Sequence, residues 1–233
     1  MKIKKGMILA AGLGTRMMPI TKKTPKALIK IGKKNLLERG IELLISHGIE
    51  EIVINIHHLG AQIQEYIYSK NYSVKISISD EKKELLDTGG GILNATKIFD
   101  NDPFIVLNPD TLWSQNYFKE IKLLEKLYLE HSKPCLLVVE KKLSFDASFK
   151  GDFSLNKNNF ISREVENQYI FTGLQILNSS VFSSVKKKIF SMNEVWDNLI
   201  NFNSLKGLKS NKDFYHLNTK AMYDKIVKLN ITD

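Results

Sequence analysis

Two glycines and two basic residues near the N-terminus form the part of the chain best suited to chemistry. Gly12 and Gly14 follow the apolar residues 7–10, a run that is typical of a buried strand. Glycines in such a turn allow positive φ angles and let backbone N–H groups approach phosphate oxygens. Arg16 and Lys26 bring positive charge to the same place. The segment therefore predicts a site for a nucleoside triphosphate.

This segment differs from two familiar phosphate-binding motifs. The dinucleotide fingerprint requires a third glycine where Met17 stands, and the Walker A loop requires a Gly-Lys-Ser/Thr string that is missing here. An ordinary turn is the simpler alternative, because glycine-rich turns after strands are common. The glycines alone do not decide between an ordinary turn and a site for a nucleoside triphosphate.

A carboxylate follows a second apolar run. Asp110 comes just after residues 104–107, so we expect its side chain at the end of a buried strand. Such a position suits Mg²⁺, which takes one or two carboxylates together with substrate phosphates and water. Asn108, Pro109 and Asp110 are all residue types that favour turns, so a plain turn stays open as an alternative.

Three consecutive glycines form another unusual string. Gly89, Gly90 and Gly91 follow Thr88 and precede an apolar run of helical period. Three glycines are costly in conformational entropy in any regular element. The string therefore predicts a helix start with exposed backbone groups, and a flexible surface loop is the alternative.

Segments of strand type alternate with longer segments of helical period along the chain, which predicts a layered α/β domain with a mainly parallel sheet. We predict strands at residues 6–9, 51–56, 74–79, 104–107, 134–139 and 169–177. We predict helices at residues 35–47, 59–69, 88–99, 115–131, 193–202 and 219–229. The polar stretch 143–166 interrupts this pattern, and we expect an irregular or antiparallel excursion over the site there.

The composition is typical of one folded domain, spanning residues 1–233. With 43% hydrophobic and 25% charged residues, the chain can bury a sizeable core. It has no apolar run long enough to cross a bilayer and no signal-peptide pattern, so we expect a cytoplasmic protein without a membrane partner. The single cysteine, Cys135, lies in an apolar stretch, which predicts a buried thiol and excludes an intrachain disulfide.

The net charge of +9 is high enough to consider nucleic acid as a partner. The excess is nearly all lysine, because only Arg16, Arg39 and Arg163 are arginines. No basic stripe interleaved with aromatic residues is present. The charge favours a solvated surface that attracts anionic substrates, and we expect no nucleic-acid partner.

Taken together, the motifs resemble the signature of the sugar-1-phosphate nucleotidyltransferases. The resemblance begins with residues 9–16 (LAAGLGTR), Pro19 and Thr21, and continues in residues 24–28 (TPKAL). It extends over nearly the whole chain, through residues 51–55, 88–91, 107–110, 113, 151–153 and 171–173. The TGGG and GDF strings are most similar to the uridylyltransferases that act on N-acetylmuramate 1-phosphate.

The resemblance implies a single-domain, Rossmann-like, three-layer nucleotidyltransferase fold of GT-A-like type, with a mainly parallel mixed sheet. It implies transfer of UMP from UTP to N-acetylmuramate 1-phosphate with release of pyrophosphate, so the partners are an NTP and a sugar 1-phosphate. Guanylyl, thymidylyl or uridylyl transfer to mannose or glucose 1-phosphate is an alternative. A non-catalytic protein that binds sugar nucleotides is another, and both monomer and dimer stay open.

The resemblance also implies roles for particular residues. Arg16 would hold the β- and γ-phosphates, Lys26 would neutralise the α-phosphate, and Asp110 would bind Mg²⁺. The residues expected to bind the nucleotide are Ala10, Ala11, Gly12, Gly14, Thr15, Gly89 and Gly90. The residues expected to bind the sugar are Asn108, Asp152, Thr172 and Gly173.

One position departs from the family pattern. Relatives usually carry a second metal-binding aspartate and then Gly-Thr before the last helix, whereas here His216 and Asn218 precede Thr219. Neutral imidazole is a poor ligand for Mg²⁺ and a better one for softer ions such as Mn²⁺. His216 is therefore expected to bind such an ion or to contact phosphate as a cation. Replacement of the lost carboxylate by Asp213, and a merely packed His216, are the other interpretations.

Overall fold

A seven-stranded sheet forms the centre of the molecule. The structure is a computed structural model, and it describes residues 2–229. The domain predicted at residues 1–233 extends further, to Met1 and residues 230–233, which lie outside the described residues. The strands are β1 (Lys5–Leu9), β2 (Lys30–Ile31), β3 (Lys34–Asn35), β4 (Glu51–Ile56), β5 (Lys75–Asp80), β6 (Phe104–Leu107), β7 (Cys135–Glu140), β8 (Ser154–Leu155), β9 (Ile161–Ser162), β10 (Tyr169–Leu177) and β11 (Lys206–Ser210).

Six α-helices accompany the strands in the described part of the chain. They are α1 (Leu36–His47), α2 (Gly60–Tyr68), α3 (Asp87–Ala95), α4 (Phe118–His131), α5 (Met192–Asn201) and α6 (Lys220–Lys228). Within residues 2–229, none of the helices has both the length and the apolar character needed to cross a membrane.

The sheet is mixed but mainly parallel, as predicted. Its strand order is β11-β7-β10-β6-β1-β4-β5. The pairs β1–β4, β1–β6, β4–β5 and β7–β11 are parallel, whereas β10 runs antiparallel to both β6 and β7. The parallel strands β1, β4 and β6 therefore end at the same edge of the sheet.

Side chains that alternate along the strands fill two cores. In β6, Ile105 and Leu107 belong to the core formed with α1, α2 and α4, and Phe104 and Val106 belong to the core formed with α3 and α5. A strand buried on both faces reads as a continuous apolar run, which is why this segment is recognisable in the sequence. The three-layer α/β/α arrangement is confirmed.

Helix α1 shows how local signals fix the elements. The side chain of Asn35 accepts a hydrogen bond from the N–H of Glu38 and caps the helix start, and Gly48, with φ 96°, ends the helix. Leu37, Ile41 and other apolar residues at helical spacing are fully buried. The helix faces the core, as predicted.

A bulge in β10 brings that strand close to the loop after β6. The register shifts between Phe171 and Gln175, and Gly173 lies there with φ 92°, in the left-handed region. The N–H of Asn108 donates to the carbonyl oxygen of Gly173 over 2.7 Å. A Cβ on Gly173 would lie 2.9 Å from Cβ of Asn108, so only glycine allows this approach.

Several elements differ from the prediction. Strands β2, β3 and β11 were not expected, because they are short or rich in polar residues and glycine. The helix predicted at 88–99 ends earlier: α3 stops at Ala95, and a 3₁₀ helix follows at Thr96–Phe99. The Thr96 hydroxyl donates to the carbonyl oxygen of Ile92, a contact that often bends helices. The excursion at 143–166 contains the antiparallel pair β8–β9, as expected.

Cys135 is fully buried at the start of β7. Its Sγ atom lies 3.6 Å from the carbonyl oxygen of Leu124, and burial raises the pKa of the thiol well above its ordinary value. The buried thiol is confirmed, and a thiol in this environment is unreactive.

Candidate active site

The segment after β1 forms a tight loop. Gly14 has φ 63°, and a Cβ there would lie 2.8 Å from Cγ2 of Thr21. The Thr21 hydroxyl donates to the carbonyl oxygen of Gly14 over 2.8 Å and fixes the turn. A Cβ on Gly12, in contrast, would meet no atom of the described residues within 4 Å. Packing accounts for Gly14, whereas Gly12 borders open space that a ligand can fill.

This loop forms one side of a cavity of about 620 Å³, which we call the larger cavity. It lies at the carboxyl ends of β1, β4 and β6, the edge at which open α/β sheets bind ligands. The predicted site residues that line it are Ala10, Ala11, Gly12, Gly14, Thr15, Arg16, Lys26, Asn108 and Asp110.

Asp110 carries the main electrostatic contacts of this cavity. Its Oδ2 accepts a hydrogen bond from Nζ of Lys26 over 2.5 Å and lies 3.1 Å from Nε2 of His216. Burial acts to raise the pKa of the Asp110 carboxyl, but Lys26 and His216 together outweigh burial and hold that pKa well below its ordinary value. Asp110 is therefore an anion at neutral pH.

The segment before α6 brings His216 to this position. Thr111 and His216 pair in an antiparallel bridge, and the N–H of Leu217 donates to the carbonyl oxygen of Asp110 over 2.7 Å. The His216 ring stacks on Phe214, with centroids 5.8 Å apart. Asp213 is exposed, so the structure brings His216 rather than Asp213 to the Asp110 carboxylate.

Oxygen atoms around Asp110 suit a hard divalent ion. Oδ1 of Asn108 and Oδ1 of Asn218 are buried, and neither has a hydrogen-bond partner in the part of the chain that the structure describes. Both residues line the larger cavity together with Asp110. Residues 2–229 hold no cluster of three His, Cys, Asp or Glu side chains, but Mg²⁺ accepts a single carboxylate when phosphates and water complete its shell. The donor set therefore fits Mg²⁺.

A buried polar network supports the same cavity. Oδ1 of Asn55 accepts from the N–H of Ala10 over 2.8 Å, and Nδ2 of Asn55 donates to Oε1 of Glu81 over 2.7 Å. Oε2 of Glu81 accepts from the N–H of Leu86 over 3.0 Å. Through Asn55 of β4 and Glu81 after β5, the network joins the loop after β1 to the start of α3.

The glycines of α3 do not expose their backbone, so that expectation is wrong. The N–H groups of Gly89 and Gly90 both donate to the carbonyl oxygen of Phe190, over 2.9 and 3.1 Å. Both glycines are buried, and among the described residues Asp87 and Thr88 line the larger cavity in their place. The N–H groups of Gly89 and Gly90 are therefore not free to bind a ligand, and the predicted contact of these residues with a nucleotide stays a prediction.

A smaller cavity of about 200 Å³ adjoins the larger one. Asn108 and Asp110 line both, so the two spaces meet at these residues. Asp152, Thr172 and Gly173, the other residues predicted to bind the sugar, line the smaller cavity. Its lining also includes Phe149, Phe171, Asn193, Trp196 and His216.

The walls of the smaller cavity combine aromatic rings with polar groups. The rings of Phe171 and Trp196 lie edge to face with centroids 4.9 Å apart. Oδ2 of Asp152 accepts a hydrogen bond from the N–H of Phe171 over 2.8 Å, which fixes the carboxylate. The hydroxyl of Thr172 donates to the carbonyl oxygen of Leu137, so it is already used within the protein. The arrangement suits a ligand with both apolar faces and hydroxyl groups.

Sequence reasoning missed several lining residues. Asn55 lies near the end of β4 and Glu81 directly follows β5, so strand-end position was an available signal for both. Ile189 and Trp196 come from segments far along the chain, and no local pattern connects them to the loop after β1.

The fold and site together define an α/β protein in which a glycine loop follows the first strand and a lysine contacts a carboxylate at the carboxyl edge of the sheet. Residues 5–144 match the family model described as nucleotidyl transferase. The chain belongs to the nucleotidyl transferase family, and it is a sugar-1-phosphate nucleotidyltransferase.

Relatives agree with this assignment, and a solved structure shares the fold. The chain is 35% identical over 185 residues to an N-acetylmuramate alpha-1-phosphate uridylyltransferase from Neisseria meningitidis, covering 78% of each chain. It is 27% identical over 203 residues to the enzyme of that name from Caulobacter vibrioides, covering 84% of each. The crystal structure of HddC from Yersinia pseudotuberculosis complexed with GMP-PN has the same fold, with a TM-score of 0.79 at 24% identity over 97% of this chain and 99% of that one.

Proposed function

We propose that this enzyme transfers UMP from UTP to N-acetylmuramate 1-phosphate, forming the UDP-sugar and pyrophosphate. The two uridylyltransferase relatives align with most of this chain and support the choice of substrates. The observation that carries the proposal is that the larger and smaller cavities meet at Asn108 and Asp110. A nucleotide in one and a sugar phosphate in the other would have their reacting groups side by side.

We assign the triphosphate to the larger cavity. Gly12 borders open space, and backbone N–H groups of its loop would donate to phosphate oxygens. Arg16 lines this cavity and would hold the β- and γ-phosphates. Lys26 would exchange its contact with Asp110 for the α-phosphate, where negative charge develops.

The reaction is an in-line displacement. A phosphate oxygen of the sugar 1-phosphate attacks the α-phosphorus, the bond to the bridging oxygen breaks, and pyrophosphate leaves with the electron pair. The attacking oxygen is already anionic at pH 7, so no general base is needed. Asp110, with His216 beside it, would hold the divalent ion, Mg²⁺ or Mn²⁺, which supplies positive charge to phosphate oxygens when bound.

We assign the sugar to the smaller cavity. Asp152 presents a fixed carboxylate that can accept hydrogen bonds from hydroxyl or amide groups. Asn108 has a buried oxygen without a partner in the described part of the chain and lies between the two cavities. The aromatic rings that line this cavity would contact the apolar side of the sugar ring.

The test is pyrophosphate release from UTP, dTTP, CTP and GTP, each combined with the 1-phosphates of N-acetylmuramate, N-acetylglucosamine, glucose and mannose. We expect turnover with UTP and N-acetylmuramate 1-phosphate. Turnover confined to GTP and mannose 1-phosphate would replace the substrates but keep the reaction. Silence in every combination, with nucleotide binding retained, would identify a non-catalytic binding protein.

The same assay, run with Mg²⁺ and then Mn²⁺, addresses His216. A preference for Mn²⁺ supports imidazole as a metal ligand, because imidazole is a softer donor than carboxylate. Equal rates with both ions would favour a role for His216 that does not involve the metal.

A further inference from the structure

A strap comprising residues 186–190 packs on the start of α3. The carbonyl oxygen of Phe190 accepts hydrogen bonds from Gly89 and Gly90, and the N–H of Phe190 donates to the carbonyl oxygen of Leu86 over 3.3 Å. An ion pair between Lys188 and the Glu84 carboxylate, at 2.5 Å, adds a further contact. The strap is therefore held by backbone bonds, independently of any ligand.

This packing explains the first two of the three glycines of α3, Gly89 and Gly90. A Cβ on Gly89 would lie 2.4 Å from the ring of Phe190, and a Cβ on Gly90 would lie 2.3 Å from the carbonyl oxygen of Lys188. A Cβ on Gly91 would lie 2.8 Å from Nδ2 of Asn55, within the buried polar network. Any side chain at the first two positions would push the strap away from the helix.

The docked strap carries Ile189 to the larger cavity. Ile189 lines that cavity together with Leu13 and Leu85, although its neighbour Phe190 is buried in the core. The Ile189 residue is 47% exposed and Leu13 is 42% exposed. Large apolar side chains exposed at the edge of a cavity gain free energy when a ligand with apolar faces covers them.

We propose that Ile189 forms an apolar wall for the nucleobase and that Gly89 and Gly90 serve to seat the strap that carries it. The inference rests on the proposed nucleotide site. A nucleobase has flat apolar faces, whereas the triphosphate is fully charged, so the wall suits the base rather than the phosphates. Ile189 thereby contributes to nucleotide affinity without contacting the reacting phosphates.

The experiment compares the binding of UTP and of inorganic triphosphate by isothermal titration calorimetry, both with Mg²⁺. For Ile189→Ala we expect the Kd for UTP to rise about tenfold, the effect of removing apolar contacts from a pocket. The Kd for inorganic triphosphate, which has no base, should stay at the wild-type value. In the turnover assay the KM for UTP should rise while kcat stays unchanged.

Two further variants serve as controls. Ile98 is 50% exposed and lies on the 3₁₀ helix after α3, outside the larger cavity, so Ile98→Ala should bind both ligands like the wild type. Ile189→Leu, which keeps the apolar bulk, should retain most of the affinity for UTP.

Two results would overturn the inference while leaving the proposed function intact. One is an unchanged Kd for UTP in Ile189→Ala. The other is an equal loss of affinity for UTP and inorganic triphosphate, since that would indicate general damage to the site. A wild-type protein that binds none of the four nucleoside triphosphates would instead refute the proposed function, and this inference with it.

Discussion

At the scale of single residues, Lys26 neutralises the negative charge of Asp110 in the site. In the structure its ammonium group contacts the Asp110 carboxylate at 2.5 Å, and both side chains are mostly buried. The phosphates of a bound nucleotide would compete for this ammonium group. Lys26 would then act twice, as the partner of Asp110 in the free protein and as a donor to the α-phosphate during transfer.

Lys26→Ala should lower kcat by two orders of magnitude or more, the size of effect seen when a donor that stabilises developing charge is removed. The measurement is pyrophosphate release at saturating substrates. Lys22→Ala removes an exposed lysine that does not line the larger cavity and should keep wild-type turnover. Wild-type kcat in Lys26→Ala would remove this residue from the mechanism.

Gly12→Ala should weaken nucleotide binding while leaving the fold intact. A methyl group at this position meets no atom of residues 2–229 within 4 Å, but it projects into the space assigned to phosphates. We expect the KM for UTP to rise severalfold, with a thermal unfolding midpoint like that of the wild type. An unchanged KM would show that the phosphates lie elsewhere.

The sequence predicted the charged residues of the site better than the packing of the elements around them. Arg16, Lys26 and Asp110 line one cavity, as their motifs indicated. The expected exposure of Gly89 and Gly90 was wrong, because a glycine can serve close packing as well as ligand contact, and sequence does not separate the two. The roles assigned to Arg16, Lys26 and Asp110 in binding and catalysis stay predictions.

At the scale of elements, α3 and the strap form one unit. The hydroxyl of Thr88 accepts a hydrogen bond from the N–H of Met192 over 2.9 Å, so α3 also holds the first residue of α5. Asn193 and Trp196 of α5 line the smaller cavity, and Ile189 of the strap lines the larger one. This one unit therefore shapes both cavities.

Gly90→Ala should destabilise the protein by about 1–3 kcal/mol, the usual cost of forcing extra atoms into a packed region. The reason is the 2.3 Å approach of the new Cβ to the carbonyl oxygen of Lys188. Urea unfolding measures the difference, and Gly12→Ala is the matched substitution that should leave the free energy of unfolding unchanged. Equal stability of the Gly90 and Gly12 variants would contradict the close packing of strap and helix.

Periodicity identified the long elements but not their partners. The buried strands β4 and β6 and helix α1 have strong patterns, so their positions followed from the sequence. The antiparallel direction of β10 depends on contacts with β6 and β7, which no local pattern records. Strand β11 contains two lysines and a glycine, so its sequence does not resemble a buried strand. Its burial arises only from its neighbours.

At the scale of the whole molecule, one buried pair joins three parts of the chain. Nε2 of His47, at the end of α1, lies 3.3 Å from Oε2 of Glu125 in α4, and Oε1 of Glu125 accepts from the N–H of Ile3 over 2.6 Å. Burial lowers the pKa of His47 below its ordinary value, although the charge of Glu125 opposes the shift. The folded protein therefore holds this imidazole in its neutral form.

Stability should fall as the pH is lowered from about 7.5 to 5.5. The unfolded chain binds a proton at His47 near the ordinary pKa of about 6.5, whereas the folded protein binds it only at lower pH, so acid favours unfolding. One such group contributes a slope of at most about 1.4 kcal/mol per pH unit. Urea unfolding at several pH values measures this slope.

His47→Gln should flatten the pH dependence in this range, because the titrating group is gone. His131→Gln, at an exposed position in α4, should keep the wild-type slope. The same slope in wild type and His47→Gln would assign the effect to other groups.

The wall shared by the two cavities has a consequence for inhibitor design. Asn108 and Asp110 border both spaces, so fragments that occupy them lie next to each other. A short covalent link would then give the second fragment a high effective concentration, and the combined affinity would exceed that of either fragment. The most economical scaffold for blocking this site is a compact bisubstrate compound rather than a longer ligand confined to one cavity.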